Sequence, residues 1–295
     1  MESKKTNYVS PLRYPGGKAC LTVFMKQIIG DNDLIGNPYY EPYAGGAGLA
    51  LKLLFDEYVS EIHINDFDFA IYSFWYSLIN HNDEFCNWLQ DIVISIENWR
   101  KFKEIYKNQS NYSKLEIAQA TFFLNRTNVS GVMQGGVIGG QDQRGNYKIN
   151  ARFNKNDLLS KIRKIYQFKK RITIYNLDGK ALIKEYASKD KNALVYIDPP
   201  YVNKGSNLYM NYFKAEDHLA LYDEIAQTKS NWIVSYDTAE LIVNTYKDYR
   251  RVKYNLSQNT SNRVGEELLV FGPNIIYDNA INHLNNSIEL AFNDY

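Results

Sequence analysis

The residues that most clearly indicate chemistry are Asp198-Pro199-Pro200-Tyr201, which directly follow the apolar run 193–197. Two consecutive prolines keep the backbone extended and remove two N–H donors. The carboxylate of Asp198 and the carbonyl of Pro199 can then converge as acceptors for an exocyclic amino group, which has two hydrogens to donate. The ring of Tyr201 can stack on a planar base. A plain Pro-Pro turn is the alternative interpretation.

A second candidate is the stretch 41–48, EPYAGGAG, between a predicted strand and a predicted helix. Glycines there let a ligand approach the backbone and the helix N-terminus. The dinucleotide fingerprint G-x-G-x-x-G is not satisfied, because Leu51 stands where the third glycine is required. The stretch therefore favours a nucleotide-like ligand other than a nicotinamide or flavin dinucleotide. A tight turn without a ligand is the alternative.

Two aspartates also follow predicted strands. Asp66 lies 18 residues after Gly48, close to the spacing of about 20 residues at which ribose-binding acids occur in doubly wound folds. Asp178 follows the run 172–176, and its carboxylate could accept a hydrogen bond from the adenine amino group of a cofactor. Helix N-capping is the alternative for both residues, and Asp68 competes with Asp66 for the ribose.

The residues that several other kinds of catalytic or binding site require are absent from the sequence. Two cysteines are too few for a disulfide framework or an all-cysteine metal site, and the zinc deaminase signature is absent. Gly16-Gly17-Lys18 lacks the earlier glycine of a Walker A loop, and no G-x-S-x-G nucleophile elbow occurs. The histidines share no ligand-like spacing; they are His63, His81, His218 and His283. We therefore expect no bound metal.

Short β-rich runs alternate with helical patterns along most of the chain, which indicates βαβ units and a mostly parallel sheet. The two last strands have no clear helix between them and predict an antiparallel pair. The predicted strands are 39–42, 61–65, 172–176, 193–197, 231–236, 251–256 and 267–271, and the predicted helices are 18–29, 47–57, 69–80, 179–188, 214–228 and 238–247.

The middle of the chain differs. Helices are predicted at 82–107 and 113–124, followed by a loop or hairpin with six glycines in the sixteen residues 131–146. The whole chain carries a net charge of +1, but eleven basic and two acidic residues from Arg126 to Arg171 give this segment +9 and the remainder −8. Such a segment indicates a polyanion site, with a solvated helix face as the alternative. We interpret 81–170 as a domain inserted into an α/β domain formed by 1–80 and 171–295.

The composition suits a globular protein. The 295 residues are 45% hydrophobic and 23% charged, which allows a sizeable core and disfavours disordered or disulfide-rich classes. No run approaches the ~20 apolar residues of a membrane span, and the first residues contain no apolar signal core. These features predict a cytoplasmic protein without membrane contacts.

Taken in order, these motifs resemble the Dam-type DNA adenine-N6 methyltransferases over nearly the whole chain. The stretch 10–18, SPLRYPGGK, resembles the N-terminal cofactor motif of that family, with Tyr14 and Lys18 at its aromatic and lysine positions. The stretch 41–48 resembles the main cofactor loop, and DPPY resembles the catalytic motif. Softer matches are 122–131, 145–150 (a hairpin strand in the family), 205–213, 217–218, 235–237 and 263–269.

The resemblance implies an α/β fold, with a Rossmann-like S-adenosylmethionine-dependent methyltransferase sheet and an inserted, mostly helical DNA target-recognition domain. It implies methyl transfer from S-adenosyl-L-methionine to N6 of an adenine flipped out of duplex DNA. The implied catalytic residues are Asp198, Pro199, Pro200 and Tyr201. The implied cofactor-binding residues are Tyr14, Lys18, Glu41, Pro42, Tyr43, Gly45, Gly46, Gly48, Asp66 and Asp178. The implied DNA-binding residues are Asn125, Arg126, Gln134, Arg144, Lys148 and Arg152.

The expected partner is double-stranded DNA, and the resemblance leaves open a cognate restriction endonuclease on a separate chain. We expect a monomer, in the cytoplasm of a bacterial, archaeal or phage-infected host. The alternatives are a catalytically inactive DNA-binding regulator on the same fold and an RNA or cytosine-N4 amino-methyltransferase. Asp198 disfavours the RNA and the cytosine-N4 methyltransferases, because Asn is commoner at this position in the former and Ser in the latter.

Overall fold

A computed structural model describes residues 8–202, 213–257 and 264–291. The chain forms two compact units. The helical unit comprises the residues up to Ala19, Gly45–Leu51 and Phe69–Lys170, and the sheet unit comprises Cys20–Ala44, Lys52–Asp68 and the chain from Arg171 onward. The family-like residues 205–212 and Arg263 lie outside the described residues.

The sheet unit contains one eight-stranded sheet in the order β3-β2-β1-β4-β5-β7-β6-β8. Strands β1 to β5 are parallel to one another, with Tyr39 of β1 paired to Ile62 on one side and Leu194 on the other. Strand β7 is antiparallel to β5 and β6, and β8 is antiparallel to β6. The strands are β1 Tyr39–Glu41, β2 Ile62–Asn65, β3 Ile172–Tyr175, β4 Leu194–Ile197, β5 Asn231–Asp237, β6 Arg250–Ser257, β7 Val264–Phe271 and β8 Asn285–Leu290.

The hydrophobic pattern explains which strands could be predicted. Every residue of β1 and β4 is buried, as expected for parallel strands that are covered on both faces. All seven predicted strands are present, and the predicted antiparallel pair near the C-terminus is confirmed. Strand β8 was not predicted, because none of its residues is fully buried and its periodic signal is weak.

The described residues form ten α-helices, so the fold is mixed α/β. They are α1 Thr22–Asp31, α2 Gly48–Phe55, α3 Phe69–Asn80, α4 Asn82–Asp91, α5 Ile96–Lys107, α6 Lys114–Thr127, α7 Lys155–Gln167, α8 Gly179–Glu185, α9 Ala215–Ala226 and α10 Glu240–Thr245. None of the described helices is both long and apolar enough to cross a bilayer.

Two predictions for the middle of the chain were wrong. The predicted helix 82–107 is two helices, α4 and α5. The break is set by Ser95, whose Oγ accepts a hydrogen bond of 3.1 Å from Asn98 N and caps α5. The stretch 145–150 contains no strand and consists of bends and turns. Its turn is closed by Gln143, whose Oε1 accepts a 2.8 Å hydrogen bond from Ile149 N.

Aromatic packing forms much of the core of the helical unit. Phe122 of α6 is fully buried. Its ring stacks on Phe74 at 5.7 Å and makes edge contacts with Phe85 at 5.5 Å and Phe153 at 5.8 Å. Because these partners come from α3, α4 and the segment before α7, Phe122 links distant parts of the sequence.

We expect Phe122→Ala to lower the free energy of unfolding by about 3–5 kcal/mol, since it removes a buried ring and leaves a cavity. Urea denaturation measures this difference. The matched control is Phe67→Ala, because the Phe67 side chain is 57% exposed and its loss should change the free energy by less than about 0.5 kcal/mol. Equal effects of the two substitutions would contradict the central position of Phe122.

Candidate functional site

The parallel strands place nine of the fourteen predicted catalytic and cofactor-binding residues at one edge of the sheet. Because β1 to β5 run in the same direction, their carboxyl ends share this edge, where α/β sheets bind ligands. Each predicted residue of the sheet unit lies at or just after the end of a strand. These residues are Glu41, Pro42 and Tyr43 after β1, Asp66 after β2, Asp178 after β3, and Asp198, Pro199, Pro200 and Tyr201 after β4.

The side chain of Asn65 holds three of these strand ends together. Asn65 is the last residue of β2 and is 1% exposed. Its Nδ2 donates to Pro42 O at 2.8 Å and to Leu177 O at 3.0 Å, and its Oδ1 accepts from Leu177 N at 2.8 Å. The loops that carry Tyr43 and Asp178 are thereby tied to β2. Asn65 was not among the predicted site residues, although an amide that ends a buried strand was the available signal.

Two hydroxyl groups hold the carboxylate of Asp198. Its Oδ1 accepts hydrogen bonds from Ser235 Oγ at 2.7 Å and from Tyr201 OH at 3.1 Å. Ser235 Oγ in turn accepts a 2.8 Å hydrogen bond from Tyr196 OH. The donors come from β4, β5 and the turn after β4, so the carboxylate has a defined orientation. Neither Ser235 nor Tyr196 was among the predicted site residues.

The tyrosines of this network remain donors at neutral pH. Burial raises the pKa of Tyr201 and of Tyr196 well above the ordinary value, and the negative charge of Asp198 raises both further. The Tyr201 side chain is only 7% exposed, and its ring lies 6.2 Å from that of Tyr236. The structure therefore shows Tyr201 as a support for Asp198, while its stacking on a base stays a prediction.

Tyr43 is packed against the start of α8. A Cβ atom on Gly179 would lie 2.3 Å from Tyr43 Cζ, so this close approach requires glycine. The Tyr43 hydroxyl is buried and has no hydrogen-bond partner among the described residues. Burial, and then the charge of Asp178, raises the pKa of this hydroxyl well above its ordinary value. A buried hydroxyl without a partner fits a polar ligand at this edge.

The three predicted acids already make hydrogen bonds within the protein. Asp178 Oδ1 accepts from Lys180 N at 2.8 Å and caps α8, as the alternative interpretation expected. Asp66 Oδ1 accepts from Asp68 N at 2.9 Å, and Glu41, which is 5% exposed, accepts from Tyr39 OH at 3.0 Å. Their contacts with a cofactor stay predictions.

The remaining predicted cofactor residues lie in the helical unit. Gly45 has φ +48°, and a Cβ there would lie 2.5 Å from Tyr14 Cε1. A Cβ on Gly46 would lie 2.9 Å from Tyr14 Cβ, and one on Gly48 would lie 3.4 Å from Ala19 Cβ. The ring of Tyr14 therefore packs so closely on Gly45 that a side chain there would collide with it, whereas Gly48 has only an ordinary contact. Lys18 is 6% exposed, and its Nζ donates to Gly16 O at 3.0 Å.

The structure separates the six predicted DNA-binding residues, all of the helical unit, into two groups. Gln134, Arg144, Lys148 and Arg152 are exposed and Arg126 is half-buried, whereas Asn125 is 2% exposed. Asn125 Oδ1 accepts from Arg13 N at 2.8 Å, and its Nδ2 donates to Arg13 O at 2.8 Å and to Gly131 O at 3.1 Å. Asn125 has an internal role that the sequence did not indicate, and we do not propose a DNA contact for it.

A metal-binding arrangement does not occur in the part of the chain that the structure describes. Within residues 8–202, 213–257 and 264–291, no three His, Cys, Asp or Glu side chains are grouped so that they could hold a metal ion.

Comparison with known proteins identifies a family. The model for the D12 class N6 adenine-specific DNA methyltransferases matches residues 14–260. No curated protein sequence matches the chain. Two solved structures are weakly similar to it. Protein LPL1258 from Legionella pneumophila has 11% sequence identity, a TM-score of 0.38, and coverage of 93% of this chain and 95% of that chain. The rRNA methyltransferase aviRa from Streptomyces viridochromogenes has 13% identity, a TM-score of 0.35, and coverage of 84% and 81%.

A double-mutant cycle tests the link between Tyr196 and Ser235. We expect Ser235→Ala to lower the free energy of unfolding by about 1–3 kcal/mol, because the buried Tyr196 hydroxyl loses its acceptor. Tyr196→Phe in the same background should then cost less than in the wild type, with a coupling energy of about 1 kcal/mol. Urea unfolding of the four proteins gives this energy. Coupling below the ~0.3–0.5 kcal/mol typical of independent sites would contradict the link.

The buried His218 predicts a pH dependence of stability. His218 is 2% exposed, and its Nδ1 lies 2.9 Å from Tyr236 OH. Burial lowers its pKa, although Asp237 and Asp217 oppose this shift. The unfolded chain, with a histidine pKa of about 6.5, therefore binds a proton more readily than the folded protein. The stability from neutral His218 is present above about pH 6.5 and is lost as pH falls through the lowered folded pKa.

Urea unfolding at about pH 7.5 and about pH 5.5 measures this dependence. We expect the free energy of unfolding to fall at the lower pH, and His218→Asn, which keeps a polar atom near the position of Nδ1, to make the fall smaller. An identical fall in both proteins would show that other groups cause it.

Proposed function

This chain belongs to the D12 class N6 adenine-specific DNA methyltransferase family, and we propose that it transfers a methyl group from S-adenosyl-L-methionine to N6 of an adenine flipped out of double-stranded DNA. The observation that carries the proposal is the carboxylate of Asp198, held at the carboxyl edge of the sheet by Ser235 and Tyr201. The prolines that follow Asp198 have no N–H to compete for the same acceptors.

The residues present fit the cofactor. S-adenosyl-L-methionine, when bound, supplies a methyl group that is activated by a sulfonium. In the sheet unit, Asp66 follows the second strand, where ribose-binding acids lie, and the buried hydroxyl of Tyr43 lacks a partner among the described residues. We assign to the cofactor Glu41, Pro42, Tyr43, Asp66 and Asp178 of this unit. The family resemblance also implies Tyr14, Lys18, Gly45, Gly46 and Gly48, whose contacts with the cofactor stay predictions.

The order of the parallel strands supports a Rossmann-like sheet. The order β3-β2-β1-β4-β5 is that of doubly wound nucleotide-binding folds. The helical composition of the middle of the chain supports an inserted target-recognition domain at 81–170, between the catalytic segments 1–80 and 171–295. Both assignments are part of the proposal.

The proposed mechanism uses the two acceptors at the DPPY turn. An adenine in a duplex cannot present N6 to the sheet edge, so the base flips out at a cost of a few kcal/mol. The carboxylate of Asp198 and the carbonyl of Pro199 accept the two N6 hydrogens and direct the nitrogen lone pair toward the methyl carbon. Ser235 and Tyr201 hold the carboxylate in this orientation. Catalysis then comes mainly from proximity and alignment, with the product proton passing toward the Asp198 carboxylate.

The proposed DNA contacts are the basic and polar groups of the helical unit. Gln134, Arg144 and Lys148 lie on the surface of the glycine-rich segment and its continuation, where side chains can reach base edges or phosphates. A separate restriction endonuclease, a monomeric state and a cytoplasmic location in a bacterial, archaeal or phage-infected host stay predictions.

The proposed function is tested by incubating the protein with unmethylated plasmid DNA and labelled S-adenosyl-L-methionine, followed by nucleoside mass spectrometry. We expect N6-methyladenine in the digest. Label in N4-methylcytosine, or transfer only to RNA in a parallel reaction, would contradict the proposal. Cofactor binding by calorimetry without any transfer would favour the inactive regulator.

Within this assay, Asp198→Ala should reduce methyl transfer by at least about 100-fold, because N6 loses the group that orients it and receives its proton. Affinity for S-adenosyl-L-methionine should stay near that of the wild type. The matched control is Asp223→Ala, which removes an exposed carboxylate from α9 and should leave transfer unchanged. Comparable turnover in the Asp198 variant would overturn the assignment.

A further inference from the structure

Three arginines from distant parts of the sequence come together in the helical unit. Arg13 belongs to the segment before α1, Arg126 to the last turn of α6, and Arg152 to the segment before α7. Arg126 Nε donates to Arg152 O at 2.7 Å, Nη2 of the same guanidinium donates to this oxygen too, and Nη1 donates to Pro11 O at 3.4 Å. The Arg126 guanidinium thus connects α6 to the backbone of Arg152 and to the backbone two residues before Arg13. We call these three residues the arginine cluster.

The backbone of Arg13 is fixed from two sides. Both its N–H and its carbonyl bond to the Asn125 amide, each at 2.8 Å. A Cβ on Gly131, where φ is +76°, would lie 2.5 Å from Arg13 O, so the glycine lets the two segments meet. The Arg13 guanidinium donates from Nη1 to Asn128 O at 3.1 Å. Arg13 is therefore held in place before any ligand arrives.

Neighbouring positive charges help to lower the pKa of two arginines of the cluster. Burial lowers the pKa of Arg126 to about 10, and the nearby charges of Arg13 and Arg152 contribute to this shift. Burial, and then Arg152, also lowers the pKa of Arg13. The hydrogen bonds agree with this, because the Arg13 guanidinium reaches the carbonyl of Asn128, two residues after Arg126, and the Arg126 guanidinium reaches the carbonyl of Arg152.

Carboxylates do not neutralise the cluster. In the described part of the chain none of the three arginines forms an ion pair, and their bonds inside the protein go to neutral backbone carbonyls. The carboxylate of Asp157, which raises the pKa of Arg126, is itself paired with Lys161 at 2.9 Å. An anion bound here would relieve the repulsion, so the cluster favours a negatively charged ligand.

The exposed member of the cluster also offers an aromatic surface. The Arg152 guanidinium lies 5.8 Å from the ring centroid of Tyr147, which is 67% exposed. Guanidinium groups beside exposed aromatic rings suit a strand that carries phosphates and bases. A planar guanidinium can bind two oxygens of one phosphate at once.

We propose that Arg13, Arg126 and Arg152 form a clamp for a single backbone phosphodiester of DNA. This inference rests on the proposed function for the identity of the ligand. The clamp contributes affinity and holds the strand in register, while the sequence is read elsewhere, because phosphate contacts carry no base information.

The clamp makes a quantitative prediction about salt. Loss of one phosphate contact weakens DNA binding to the same extent for every sequence and reduces the slope of log K against log salt concentration by about 1. Fluorescence anisotropy with two labelled duplexes of different sequence, over a series of KCl concentrations, measures both quantities for Arg13→Gln, Arg152→Gln and the double variant. Because one phosphate is shared, each single variant should lose at most about 1 in slope, and the double variant should lose about 1 and no more.

Two further variants separate the role of charge from a role in folding. Arg13→Lys keeps the charge and should keep the wild-type salt slope. Arg250→Gln is the matched control, because the Arg250 guanidinium also donates to backbone carbonyls, of Pro273 and Ile275, and lies 5.0 Å from a tyrosine ring centroid, but in the sheet unit. It should leave DNA binding unchanged. Thermal unfolding of each variant confirms that the comparison is made between folded proteins.

Each outcome bears on the clamp. An unchanged slope in the double variant would overturn it, and a loss of about 2 in the double variant would show two separate phosphates instead of one. The methylation assay is independent of this result. Reduced slopes without any N6-methyladenine would support the clamp and contradict the proposed methyltransferase activity. Methylation with unchanged slopes in all variants would contradict the clamp alone. A wild-type protein that binds no DNA would overturn both proposals.

Discussion

The candidate site depends first on the buried amide of Asn65. Parallel pairing brings the ends of β1, β2 and β3 to one edge. The loops that follow these strands lack the backbone hydrogen bonds that join paired strands. Asn65 supplies the missing bonds, since both hydrogens of its Nδ2 and its Oδ1 are used on the loops after β1 and β3. In a residue that is 1% exposed, leaving these groups unpaired would be costly. The positions of Tyr43, Asp66 and Asp178 follow from this constraint.

Hydrogen bonds between buried groups also position Asp198, the proposed catalytic carboxylate. Asp198 lies at the end of a fully buried strand, and the groups that orient it are hydroxyls of the neighbouring β5 and of its own turn. Burial raises the pKa of both tyrosines, so Tyr201 OH donates to the carboxylate and Tyr196 OH donates to Ser235 Oγ. A carboxylate held in this way needs little reorganisation before it accepts a hydrogen bond from a substrate.

In the helical unit, hydrogen bonds and packing hold positively charged side chains close together. The Arg13 guanidinium donates to Asn128 O and the Arg13 backbone bonds to the Asn125 amide, while the Arg126 guanidinium donates to Arg152 O. These bonds hold the two side chains in place despite their mutual repulsion. Hydrophobic burial around Phe122 supplies a rigid support for these segments. Stability and the proposed DNA binding thus depend on the same small region. Asn125 contributes to stability, although its position in the sequence indicated DNA binding.

The sequence alone determined the seven predicted strands, the DPPY turn and the family, because buried periodicity, paired prolines and glycine spacing are local signals. It determined neither β8, which has almost no buried face, nor the break between α4 and α5, which rests on one capping serine. Only the tertiary structure decided that Asn65, Ser235 and Tyr196 support the site, that Asn125 lies inside, and that Arg13 lies beside Arg126 and Arg152. The physical reason is that a hydrogen bond or a charge repulsion depends on distance in space, and these partners are separated by up to 139 residues in the chain.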